Sequence, residues 1–133
     1  MIHEEICTYE VCKLAKEKEF PQHIGNDAYI VDNEYDDKSE VGCHYPIQFI
    51  PDYLPTIVAP TQSLLQRWLR EEKGVVFGIS PMQEMDCDYL GWCATIYKVD
   101  ENGYGLSWQE ELYYNTYELA LENALAYSLK NLV

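Results

Sequence analysis

A chain of 133 residues, 47% of them apolar, holds enough hydrophobic material for one real core and is not a disordered segment. Its 23 acidic against 9 basic residues leave a net charge of −14, a field that repels polyanions and disfavours direct binding to nucleic acid or anionic lipid. No apolar run approaches the length of a membrane span, and the opening MIHEEICTYE is acidic rather than basic and apolar, so neither a transmembrane helix nor a signal peptide is expected and the cytoplasm is the expected compartment.

In chain order, Thr8 is placed to cap a short helix over 9–18, with Val11, Cys12, Leu14 and Ala15 on its apolar face and Pro21 as its stop. Two brief apolar pieces follow, Ala28 to Val31 and Val41 to Tyr45, which read as strands joined by the charged loop DNEYDDKSE. Asp32, Glu34 and Asp36 alternate there as in a calcium loop. Asp37 stands where the turn glycine belongs, however, and Cys43 where the bidentate glutamate belongs, so no calcium site is expected. Pro46, Pro51, Pro55 and Pro60 then punctuate a stretch that can be neither a long helix nor a central strand. It reads as an extended connector laying Phe49, Ile50, Tyr53, Leu54 and Ile57 against the core.

The stretch APTQSLLQRWLREEKG carries the clearest helix signal, over 60–73. Pro60 suits a first helical position, Leu64, Leu65, Trp68 and Leu69 form one apolar stripe, and Gly74 can take the left-handed conformation that stops a helix. Trp68 is expected to anchor the core. Three strands are then expected: Val75 to Ile79, Leu90 to Val99, and Tyr104 to Leu112, the last two joined by the hairpin turn Asp100-Glu101-Asn102-Gly103. On the third strand Tyr104, Leu106, Trp108 and Leu112 are expected on one face. A final helix over 116–131 is capped by Asn115 or Thr116 and keeps an apolar register through Ala120, Leu121, Ala124, Leu125, Ser128 and Leu129.

These elements add up to an α+β fold in one domain over 1–133. An antiparallel sheet, built on a three-strand meander over 75–112 and open to extension by a short hairpin near 28–45, packs against about three helices, 9–18, 60–73 and 116–131.

Two stretches, PTQSLLQRWLRE and YNTYELALENALAYSLK, together resemble a family of small bacterial proteins often encoded in phage or mobile-element contexts. The resemblance covers mainly 59–133. It implies a compact α+β fold and a mobile-element origin, and it brings no assigned activity. The last helix reads TYELALENAL where relatives tend toward an SYEEALEAAL-like start, a departure without consequence for the fold.

Chemistry-bearing residues are present without forming a motif. The five cysteines, Cys7, Cys12, Cys43, Cys87 and Cys93, match no zinc or redox spacing and read as free thiols in a reducing compartment. His44 adjoins Cys43, but neighbouring strand residues point to opposite faces and cannot form a dyad directly. A metal site from Cys43, His44 and Cys87 would need two distant loops to meet. Carboxylate pairs such as Asp86 and Asp88, or Glu110 and Glu111, follow from so acidic a composition. No catalytic, cofactor-binding or metal-binding residue is therefore singled out, and no cofactor is expected.

The 12 tyrosines are the more informative feature, since Tyr35, Tyr53, Tyr89, Tyr113 and Tyr114 fall in expected loops or strand ends, where exposed aromatic rings mark binding surfaces. The leading expectation is a non-enzymatic interaction module that meets a basic protein partner through acidic, tyrosine-rich surface. Two alternatives stand beside it. One is a nucleic-acid mimic that inhibits a DNA-binding protein. The other is a small-ligand binder or enzyme with a pocket between the proline-rich connector and the sheet.

Overall fold

The computed structural model describes residues 4–31, 44–83, 90–109 and 113–133. Both the calcium-like loop and Cys43 and Cys87 lie outside the described residues. The chain is α+β, and it divides into two compact units, Met1–Leu64 and Leu65–Val133.

In the first unit, helix α1 (Tyr9–Glu17) starts where Thr8 Oγ1 accepts the Val11 N–H at 3.4 Å. The helix buries Val11, Cys12 and Ala15. It stops earlier than Pro21, on a backbone motif. Glu19 takes a left-handed φ of 71°, the Phe20 N–H reaches back to the Ala15 carbonyl at 2.9 Å, and the Glu19 N–H to that of Lys16 at 3.0 Å. Buried Phe20 completes the motif from the apolar side.

A small antiparallel sheet has the order β2-β1-β3, from β1 (Asp27–Ile30), β2 (Tyr45–Pro46) and β3 (Thr56–Val58). The hairpin expected near 28–45 is thus present as β1 and β2, and it pairs with a strand from the proline-rich stretch rather than extending the later meander. That stretch turns twice, at a 3-10 turn over Ile47–Phe49 and at Pro51 to Leu54, where the Leu54 N–H bonds the Pro51 carbonyl at 3.1 Å. The turns throw Phe49 and Tyr53 outward, 73% and 83% exposed, and only Ile57 of the expected apolar set is fully buried. β3 is an edge strand, as its flanking prolines require. Its outward backbone is occupied: Lys16 Nζ donates to the Thr56 carbonyl at 3.2 Å, and the Val58 N–H donates to Gln22 Oε1 at 2.9 Å.

The N-terminal segment is tied in by a backbone bridge between Ile6 and Thr61. The Cys7 N–H bonds the Pro60 carbonyl at 3.0 Å and the Gln62 N–H that of Glu5 at 2.8 Å. Buried Tyr29, on β1, donates its hydroxyl to the Cys7 carbonyl at 2.7 Å.

Helix α2 (Gln62–Lys73) begins two residues later than expected. Thr61 Oγ1 accepts the Leu64 N–H at 3.2 Å, so threonine is the cap and Pro60 precedes it, fully buried. Gly74 ends the helix with a φ of 68°. A Cβ there would meet Val99 only in ordinary contact, at 3.4 Å, so it is the left-handed backbone that favours glycine; the Val99 N–H donates to the Gly74 carbonyl at 2.8 Å. The division between the units falls inside this helix. Leu65 and Leu69 are its buried anchors. Trp68, expected in that role, is only half-buried, with the Lys73 ammonium 5.4 Å from its ring centroid.

The second unit contains the meander: β4 (Val75–Gln83), β5 (Leu90–Asp100) and β6 (Gly103–Gln109), in the order β4-β5-β6, all antiparallel. The turn between β5 and β6 closes with the Asn102 N–H on Asp100 Oδ1 at 2.7 Å and with Gly103 at a φ of 106°. A register shift between Ile96 and Tyr97 puts Trp108 opposite Ile96 and Leu106 opposite Tyr97, so the even alternation expected along the third strand is interrupted by a bulge. Leu112 lies outside the described residues.

Helix α3 (Tyr117–Asn131), capped by Thr116 Oγ1 on the Leu119 N–H at 3.1 Å, lies on one face of this sheet. Four alternate β5 residues meet it along its length. Trp92 meets Tyr117 edge-on at 5.6 Å near the helix start, Ala94 and Ile96 are fully buried, and Lys98 donates to the Leu132 carbonyl at the helix end. Trp108 stacks on Tyr127 at 4.6 Å.

Candidate functional site

The N-terminal segment, the first turn of α1, the central strand β1 and the lead-in to β2 together line a cleft of about 710 Å³ in the first unit. Its lining is Glu4, Glu5, Ile6, Thr8, Tyr9, Glu10, Tyr29 and His44. Among these described residues there are three carboxylates, three aromatic rings and no Lys or Arg.

The rings are held at right angles by the fold. Tyr29 is fixed at its hydroxyl by the Cys7 carbonyl, and it meets Tyr9 edge-on at 5.5 Å and 86°. The same ring meets His44 at 5.9 Å and 82°. His44 is in turn bonded through Nδ1 to Asp27 Oδ2 at 2.6 Å, with 34% of the imidazole and 22% of the carboxylate side chain exposed. An ionised carboxylate can only accept, so the bond calls for a proton on Nδ1 of the ring.

Asp27 also lines a second cleft, of about 640 Å³, together with Gln22, His23, Gly25, Asn26, Pro46, Ile47 and Gln48. The Asp27–His44 pair therefore joins the two clefts. This second cleft lies beside the start of the proline-rich stretch, where a pocket had been one of the expectations, but no Phe, Tyr or Trp is among its described lining residues.

Sequence reasoning weighed His44 against Cys43 and missed Asp27, 17 positions earlier. The link depends on the β1–β2 register, in which Asp27 pairs with Pro46 and Ala28 with Tyr45. Two strands so short and so far apart in the chain do not fix that register from pattern alone. Glu4, Glu5 and Glu10 belong to the acidic opening segment and form no motif. Nothing in the spacing of the three says that a turn of helix and a β-bridge gather them round two tyrosines.

Of the tyrosines expected at the surface, Tyr53 and Tyr113 are exposed, and Tyr114 is half-buried, its backbone paired with Trp92 by two 2.8 Å bonds. Tyr35 and Tyr89 lie outside the described residues. Cys7, Cys12 and Cys93 are free, buried thiols. Among the described residues, no group of three or more His, Cys, Asp or Glu side chains is arranged to hold a metal ion, and no helix is long and apolar enough to cross a membrane.

Compared with protein-family models, with curated proteins and with solved structures, the chain matches none. The functional reading rests on the residues themselves.

Proposed function

We propose that this chain is a non-enzymatic, acidic interaction module, and that the cleft at the start of α1 receives a basic segment of a protein partner. The observation that carries this reading is the cleft's composition: Glu4, Glu5 and Glu10 stand around Tyr9, Tyr29 and His44, without a cation among the described lining residues. Carboxylates at the rim draw a cationic chain in, and aromatic surface gives it apolar area once it arrives. The overall charge of −14 acts in the same direction at longer range.

The test uses the purified chain and a fluorescent lysine-rich peptide of about ten residues. Binding should weaken about tenfold or more between low and moderately high salt. Replacing Glu4, Glu5 and Glu10 by Gln together should weaken it comparably. The same number of charges removed at exposed Asp52, Glu72 and Glu101 should matter far less. Equal losses from the two triple variants would mean that net charge alone attracts the peptide and that the cleft is not the site.

A further inference from the structure

We draw no further inference here: the strongest candidate, the exposed apolar surface that Ile47, Phe49 and Tyr53 form where the proline-rich stretch turns outward from the first unit, carries nothing, because nothing in the structure shows what covers it.

Discussion

Tyr29 has the most to lose from a small change. Its buried hydroxyl donates to the Cys7 carbonyl, which also takes the weaker Cys12 thiol at 3.6 Å. Tyr29→Phe should therefore cost about 1–2 kcal/mol, since a buried carbonyl loses its 2.7 Å hydroxyl donor. Chemical denaturation measures this, and an unchanged midpoint would mean that water replaces the lost partner. Glu19 offers the opposite case. Held at a φ of 71°, it carries left-handed strain that glycine would not, and Glu19→Gly should raise stability by about 0.5–1 kcal/mol. A loss of stability in that variant would show that the glutamate side chain has a role outweighing its backbone cost. Neither effect was legible in the sequence. The left-handed residue is not a glycine, and the partner of Tyr29 lies 22 positions away.

At the scale of elements, the helices were legible because their periodicity and caps are local. Thr8, Thr116 and Gly74 do what their chemistry suggests, and α1 and α3 fall within a residue of expectation. The hairpin of β5 and β6 was legible for the same reason, through Asn102-Gly103. What could not be read was which apolar side chain of α2 faces inward most deeply. The stripe of Leu64, Leu65, Trp68 and Leu69 spans more of the helix circumference than the core covers. The leucines take its centre, and Trp68 lies toward its margin beside Lys73. It follows that Leu69→Ala should cost about 2–5 kcal/mol and Trp68→Ala clearly less, about 1–2 kcal/mol. Thermal or urea unfolding of the pair checks the ranking, and a larger loss at Trp68 would reverse this assignment. The bulge opposite Ile96 and Tyr97 illustrates a further limit, because one extra residue in β6 leaves no mark in the alternation of a strand containing Gly105 and Ser107.

For the molecule as a whole, the charge of −14 must be carried on a small surface, and its self-repulsion opposes compaction. Raising ionic strength from about 20 to 300 mM should lift the melting temperature by a few degrees, as screening shortens the reach of that repulsion. A melting temperature that falls with salt would instead point to net attractive pairs. The exposed Arg67–Glu71 pair adds little to either outcome. Charge also bears on how copies of the chain behave in a crowd. Lys16 and Gln22 seat themselves on the outer rim of β3, where a three-residue strand would otherwise present free backbone to any passing peptide. Because one of those two corks is a lysine, covalent neutralisation of a single amine would uncork part of that rim while making the chain more anionic.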